Sequence, residues 1–501
     1  MAKERIYLFD TTLRDGQQTP GVDFSAEDKR NIAEALDQLG VDYIEGGWPG
    51  ANPTDSAFFQ NPPALKNATF TAFGMTKRPG RSADNDPGLA EVLGAGTPAV
   101  CLVGKSWDFH VDVGLEIPHE EAVDLVGDSI VAIQGREKEA LFDAEHFFDG
   151  FKANREFALN TLKSAYDAGA RWIVLCDTNG GTLPHEIEEI IGEVIKDVPG
   201  DRLGIHCHDD TGQAVANSLA AVRAGVRMVQ GTLNGLGERC GNANLVTIIP
   251  TLMLKAAYAD HYETGITEDG LKSLKNVSHL LDELLNRAPE RQAPYVGASA
   301  FASKAGLHVS ALLKNPKTYE HVEPHLVGNE RAVMVSNQSG RSNVLSRLKE
   351  LNIEIDPKDS RIDRLLEDVK QREFEGYSYD GAEASFELMV RRILGQVPDY
   401  FDINSFRVLV EHRHNALGNL VTISEATVKL SIDDRMIMSV AEGNGPVNAL
   451  DNALRKDIGP YAPIISDLRL VDYKVRILDG GTGAVTRVLI ESADVSDSSC
   501  F

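Results

Sequence analysis

The sequence predicts an α/β chain that opens with a closed (β/α)8 barrel, continues through small helical subdomains and ends in a separate α+β domain. Three observations predict it. The first half carries eight short apolar runs, each ending in polar or glycine residues. Stretches of helical spacing separate most of them, which is the rhythm of strand–helix units. The first run ends in Thr-Thr-Leu-Arg-Asp-Gly. A doubly wound open sheet often shows Gly-x-Gly-x-x-Gly there and usually has fewer strands.

The eight runs are Ile6–Thr12, Val41–Gly46, Ala68–Gly74, Ala99–Gly104, Ala140–Glu145, Arg171–Asp177, Leu203–His208 and Arg227–Gly231. Between the first two, Ala26–Gly40 puts Ile32, Ala35, Leu36 and Leu39 on one helical face, and Gly40 supplies a stop. Ser25 with Asp28 reads as a capping box in which Asp replaces the usual Glu or Gln. After about Asn242 the rhythm changes. Residues 245–290 read as helices, Leu271–Leu285 among them; 291–340 are loop-rich; 341–375 are charged and helical. From Ala384, six runs alternate like antiparallel strands: Ser385–Arg392, Phe406–Glu411, Ala426–Ile432, Met436–Glu442, Asp467–Ile477 and Ala484–Glu491. A helix is predicted over Pro446–Arg455, and the order strand–strand–helix hints at a duplication.

Composition narrows the function classes. The 501 residues hold 42% hydrophobic and 25% charged side chains, a globular composition. Fifty basic against 75 acidic residues leave a net charge of −25. That excludes nucleic acid as the main partner, because a phosphate backbone needs a basic face, and it disfavours an anionic membrane surface. No run approaches the roughly 18 apolar residues of a membrane span. Five cysteines without a Cys-x-x-Cys give neither a disulfide framework nor a zinc knuckle. The N-terminus lacks an apolar signal segment, so a cytoplasmic location is expected.

The strongest local signal is His206-Cys207-His208 at the end of the seventh run. Residues two apart on a strand share a face, so both imidazoles would enter the mouth of the barrel, where such folds place their sites. Two imidazoles side by side can clamp a divalent ion. Asp15 follows the first run and Asn242 the eighth. A carboxylate, two imidazoles and an amide would leave two positions of a six-coordinate ion for a chelating α-keto acid, whose carbonyl the ion would activate. Each residue also has a plainer reading: the histidines as a surface or capping pair, Asp15 as a turn former, Arg14 as a surface arginine, Glu45 as a capping carboxylate. In a metal mouth, Arg14 would hold a substrate oxygen or a developing enolate, and Glu45 would orient it.

These residues lie in segments that resemble a known family. FDTTLRDGQQTPG, IEGGWPG, LCDTNGG, IHCHDDTGQAVANS and LNGLGERCGNANL are similar to the 2-isopropylmalate, homocitrate and citramalate synthases, which belong with the hydroxymethylglutaryl-CoA lyases in a TIM-barrel metallolyase superfamily. The resemblance covers nearly the whole chain. It implies a catalytic barrel over 1–290, catalytic subdomains and linker over 291–375, and a regulatory, dimerising domain over 376–501. It implies a Claisen-type condensation of acetyl-CoA with a 2-oxo acid, followed by thioester hydrolysis. Carried over by motif, Asp15, His206, His208 and Asn242 are the metal ligands, and the ion is Mg2+ or Mn2+, with Zn2+ also compatible. Arg14 sits beside the keto oxygen, Glu145 near the keto acid, and Thr178 at the substrate carboxylate. Lys304-Ala305-Gly306-Leu307-His308-Val309 resembles the segment whose histidine helps deprotonate acetyl-CoA, so His308 is the candidate acid/base group and Tyr319 its helper.

There are departures. Cys240 stands where many members have Ala, and Val309-Ser310 replaces the common Ala-Asp. IEGGWPGANPTD differs from the isopropylmalate synthases and is closer to a citramalate-forming subgroup, which implies pyruvate as the 2-oxo acid; a bulky pocket lining from Trp48, Met75, Trp107 and Phe109 would agree. Lys304, Lys314 and Lys317 are candidates to meet the anionic CoA. The terminal domain implies a branched-chain amino-acid effector, expected to be isoleucine, with Gly443, Gly445, Gly481 and Gly483 allowing close backbone approach, and a homodimer. Three rival readings remain: a synthase for a larger 2-oxo acid, a lyase of the same superfamily, and a non-enzymatic amino-acid sensor.

Overall fold

All eight apolar runs of the first half become strands. In the structure, a computed structural model, residues 3–500 are described apart from 337–338, 378, 380–381, 399, 415, 433–434, 457, 459–460, 478–485 and 495–498. Strands β1 (Tyr7–Asp10), β2 (Tyr43–Glu45), β3 (Thr69–Met75), β4 (Ala99–Lys105), β5 (Glu139–Glu145), β6 (Trp172–Asp177), β7 (Leu203–Cys207) and β8 (Met228–Gly231) form a closed barrel. All neighbours are parallel, and β1 pairs with β8 from Tyr7 opposite Met228 to Asp10 opposite Gly231, which shuts the ring.

Side chains alternate between two surroundings, as a barrel requires. Phe9, Tyr43, Cys101, Leu141, Trp172, Val174 and Cys176 pack together inside the ring. Ile44, Leu102, Phe142, Ile173 and Leu175 face the surrounding helices. At the N-terminal end of the strands, Trp172 Nε1 donates to the Tyr43 hydroxyl at 3.1 Å, and that hydroxyl donates to Glu139 at 2.6 Å. A buried polar chain thus closes one end, and the other end is left for the site.

Helix α1 (Ala26–Leu39) forms as the pattern predicts. Ser25 Oγ accepts from the Asp28 amide at 3.1 Å, and Asp28 accepts from the Ser25 amide at 2.9 Å, so the Asp variant of the capping box is real. Gly40 ends the helix in the left-handed region at φ 100°, where a Cβ-bearing residue would be strained. On the inner face of α1, the ammonium of Lys29 is completely buried. It donates to the carbonyls of Leu13 (2.8 Å) and Gly46 (3.1 Å) and to the Asp55 carboxylate on α2 (Pro53–Gln60). Asp55 also accepts from the Trp48 amide at 2.9 Å. Burial lowers the Lys29 pKa, and Asp55 works against that loss. One cation therefore ties the loop after β1 to the loop after β2.

The chain divides into two compact units, residues 1–302 with 320–332, and residues 303–319 with 333–501. In the second unit, helices Arg341–Glu350, Arg361–Phe374 and Glu383–Ile393 share a core of Val344, Leu348, Ile362, Leu365, Phe386, Met389 and Val390. The last helix corrects the strand expected over Ser385–Arg392. Its buried residues Phe386, Met389 and Val390 fall at i, i+3 and i+4, a helical stripe that an alternating reading of a short segment misses. The remaining expected strands have counterparts, although Ala484, where the last was expected to begin, lies outside the described residues. β9 (Asp402–His414), β10 (Leu420–Ile432) and β11 (Arg435–Gly443) form an antiparallel sheet, with Ala426, Val428 and Leu430 packed on Ala449 and Ala453 of the helix Pro446–Lys456. β12 (Arg469–Ile477), β13 (Thr486–Ala493) and β14 (Ser499–Cys500) form a second sheet. Among the described residues, no helix is long and apolar enough to cross a membrane.

Lys29→Met leaves a buried carboxylate without its cation. It is expected to lower the unfolding free energy by about 3–5 kcal/mol in urea titration; a loss below about 1 kcal/mol would show that the pair does not hold the two loops.

Candidate active site

The C-terminal ends of the strands surround a cavity of about 460 Å3, lined among others by Arg14, Asp15, Trp48, Phe73, Asp143, Glu145, Thr178, His206 and His208. Strand alternation brings the two histidines here. His206 lies inside β7 and His208 just beyond it, with ring centroids 5.2 Å apart, while Cys207 between them points into the outer core. Both rings are buried.

Asp15 reaches the same spot through a braced turn. Thr12 donates through its amide and hydroxyl to Asp10, both at 2.9 Å, and the Thr12 oxygen accepts from the Leu233 amide at 2.9 Å. The loop after β1 is thereby laced to the loop after β8. Asp15 Oδ2 lies 3.2 Å from His206 Nε2 and 4.0 Å from His208 Nε2. Asn242 faces His208 across a backbone bridge. The Gly-rich turn makes this fit: Gly241 sits at φ 94°, and a Cβ there would lie 2.0 Å from the Gly235 carbonyl, while a Cβ on Gly237 would lie 2.8 Å from the Asn242 amide carbon.

The electrostatics of this cluster suit a cation. The side-chain amide of Gln230 bridges His206 and Asp143: Nε2 donates to Asp143 at 3.0 Å, and Oε1 accepts from His206 Nδ1 at 2.9 Å. Nε2 of His206 thereby faces Asp15 Oδ2, with a proton or a metal ion between the two atoms; burial opposes the imidazolium, but Asp15 overrides it and raises the His206 pKa. Burial opposes ionisation of Asp15, but Arg14, His206 and His208 override it and hold its pKa well below the usual carboxylate range. Burial, reinforced by His206, pushes His208 down to about 3, so its imidazole is neutral and its lone pair free. Among the described residues, both polar atoms of the Asn242 amide and Nδ1 of His208 are buried without a partner. Orphaned buried polar atoms are costly. A carboxylate, two imidazoles and an amide with unused oxygen fit a divalent ion of the Mg2+, Mn2+ or Zn2+ type.

Arg14 stands over this cluster. Its Nε donates to Glu45 at 2.6 Å, its Nη1 lies 3.6 Å from Asp15, and its guanidinium stacks 4.0 Å from the Phe73 ring centroid. Burial pushes the Glu45 and Asp143 carboxyls up, and Arg14 works against that in both. The Thr178 hydroxyl accepts from the His146 amide at 2.8 Å, which leaves its proton for an external acceptor. Glu145 pairs with Lys105 at the cavity wall.

The structure thus gathers Arg14, Asp15, Glu145, Thr178, His206 and His208 around one cavity, with Glu45 buried behind Arg14 and Asn242 against His208. His308 and Tyr319 belong to the second unit, where their rings stack with centroids 4.3 Å apart. Gly443 abuts the helix Pro446–Lys456: a Cβ there would lie 2.4 Å from the Ala449 nitrogen, whereas Gly445 has open space. Gly481 and Gly483 lie outside the described residues. Of the expected bulky lining, Trp48 borders the cavity; Met75 lines a smaller adjoining pocket, and Phe109 is 53% exposed. Trp107 instead stacks on His110. Sequence reasoning missed Gln230 and Asp143. A glutamine in the strand run Met228–Gly231 and an aspartate two residues before Glu145 were the available signals.

Comparison with known proteins gives the family. Residues 5–277 match the HMGL-like family model, 295–375 the homocitrate synthase post-HMGL domain-like model, and 380–499 the LeuA allosteric (dimerisation) domain. The chain belongs to the HMGL-like family. It is 49% identical to the (R)-citramalate synthase of Aquifex aeolicus over 98% of this chain and 92% of that one. The (R)-citramalate synthase of Geobacter sulfurreducens is also 49% identical, over 98% and 92%. That of Synechocystis sp. is 48% identical, over 98% and 91%.

Proposed function

We propose that this chain is an acyltransferase that condenses acetyl-CoA with pyruvate and hydrolyses the thioester, giving citramalate and CoA. The observation that carries the proposal is the meeting of Asp15, His206, His208 and Asn242 beneath Arg14 in a chain similar to (R)-citramalate synthases along nearly its whole length. The segments 1–290, 291–375 and 376–501 serve as catalytic barrel, catalytic subdomains and regulatory domain, respectively.

In this reading the four residues hold Mg2+ or Mn2+, with Zn2+ a further option. A bound divalent ion supplies a Lewis acid at the keto carbonyl. Thr178 donates its free hydroxyl proton to the substrate carboxylate. Arg14, with Nε held by Glu45, directs its remaining N–H groups at the keto oxygen, where negative charge grows as the carbon–carbon bond forms. Glu145 borders the keto acid. His308, with Tyr319 stacked on it, takes the methyl proton of acetyl-CoA. A general base is worth only ~10² to 10⁴-fold, so stabilisation of the enolate must supply the rest. Water then cleaves the carbon–sulfur bond and releases the CoA thiol. Lys304, Lys314 and Lys317 offer charge to CoA.

The terminal domain binds isoleucine near Gly443, Gly445, Gly481 and Gly483, and it dimerises the chain. Exposed Leu409 on β9 and Met436 and Met438 on β11 share the face of the sheet away from the helix, an apolar surface that a partner subunit would cover. A cytoplasmic location suits a soluble biosynthetic enzyme. Thiol release from acetyl-CoA plus a 2-oxo acid separates this reading from a lyase or a sensor.

In steady-state assays, pyruvate is expected to give the highest kcat/KM among pyruvate, 2-oxobutyrate, 2-oxoisovalerate and 2-oxoglutarate, with about 10–200-fold discrimination per added methylene; preference for either of the last two overturns the choice of substrate. Exhaustive chelation is expected to abolish thiol release and Mg2+ or Mn2+ to restore it; full activity in the metal-free protein ends the metal assignment. In isothermal titration, isoleucine is expected to bind more tightly than leucine or valine, and to bind equally well to the inactive His206→Ala protein. Absence of binding by all three would leave the terminal domain a dimerisation module.

A further inference from the structure

One side chain joins three of the loops that carry cavity residues. Arg239 lies in the loop after β8, three residues before Asn242. Its Nε and Nη2 donate to the two oxygens of Asp210 at 2.8 and 2.9 Å, and Nη2 also donates to the Thr178 carbonyl at 2.7 Å. Asp210 follows His208 by two residues in the loop after β7, and Thr178 is the first residue after β6. The guanidinium fork therefore bonds directly to two loops while its own backbone holds the third.

Two features show that this junction is built. Arg239 has a φ of 55°, a left-handed conformation that Cβ-bearing residues keep only where neighbours impose it. The turn at Gly180 closes on the same aspartate: a Cβ there would lie 2.5 Å from Asp210 Oδ2 and 2.8 Å from the Asp210 nitrogen, and Thr211 Oγ1 donates to the Gly180 carbonyl at 2.9 Å. A half-exposed ion pair contributes little by itself. A planar fork with three bonds to fixed acceptors sets geometry, which a lysine's single charged point cannot reproduce. Glu238 lines the cavity, whereas Arg239 turns to Asp210.

We propose that Arg239 is a positioning residue that locks the loops after β6, β7 and β8 together, so that Thr178 and Asn242 keep their places relative to His208. The inference rests on the function proposed above. In Arg239→Ala, Mn2+ binding measured by titration without acetyl-CoA is expected to weaken about tenfold or more, and KM for pyruvate to rise by about the same factor. The KM for acetyl-CoA and the melting temperature should stay near those of the parent chain. Arg239→Lys, which keeps the charge and loses the fork, should restore little. Asp210→Ala should reproduce the defect, and the double variant should be no worse than Arg239→Ala. Mn2+ binding and pyruvate KM of Arg239→Ala within about twofold of the parent would overturn the clamp while leaving the function standing; so would full recovery in Arg239→Lys. A parent chain that binds no Mn2+ would remove the metal reading and the clamp with it.

Discussion

A carboxylate and an imidazole nitrogen face each other at 3.2 Å in a buried barrel mouth, and much of the first unit follows from keeping them there. Two acceptors in a low-dielectric setting repel unless a proton or a cation lies between them. The surroundings hold the arrangement rather than relieve it. Gln230 consumes the outer nitrogen of His206, Arg14 keeps Asp15 ionised, and Asn242 presents an amide whose polar atoms find no partner among the described residues. The cluster offers the oxygen and nitrogen atoms that a divalent ion takes.

That demand explains the polar bracing beneath the site. Lys29 binds two loop carbonyls and Asp55 from a fully buried position, which fixes the approach of the loop bearing Arg14 to the strand bearing Glu45. The Asp10–Thr12–Leu233 chain does the same between the first and last barrel strands. Burying so many charges in a barrel is costly, and the cost is met only where each group has a partner of opposite sign or a hydrogen-bond acceptor in fixed geometry. At the rim, Arg239 joins the loops after β6, β7 and β8 by hydrogen bonds.

The barrel was legible because its signals are local. Apolar runs end where strands end, and the Ser25–Asp28 cap and Gly40 stop mark the first helix. His206 and His208 were legible for the same reason, since two residues apart on a strand means one face. The run Ser385–Arg392 was misread because eight residues are too few to separate a period of two from one of 3.6, and the stripe of Phe386, Met389 and Val390 became visible only once a helix buried it. The expected pocket lining failed at Trp107 and Phe109 for a related reason: both lie past the end of β4, where the chain turns into a helix and strand alternation no longer says where a side chain points.

By itself the sequence determined the eight strand–helix units and the residue types that reach the open end of the barrel, because each depends on neighbours close along the chain. Only the tertiary structure decided that Gln230 and Asp143 stand behind His206, that Lys29 is a buried cation, and that Arg239 spans three loops. Those partners lie 16 to 87 residues apart along the chain, and the winding of the barrel is what brings them within bonding distance.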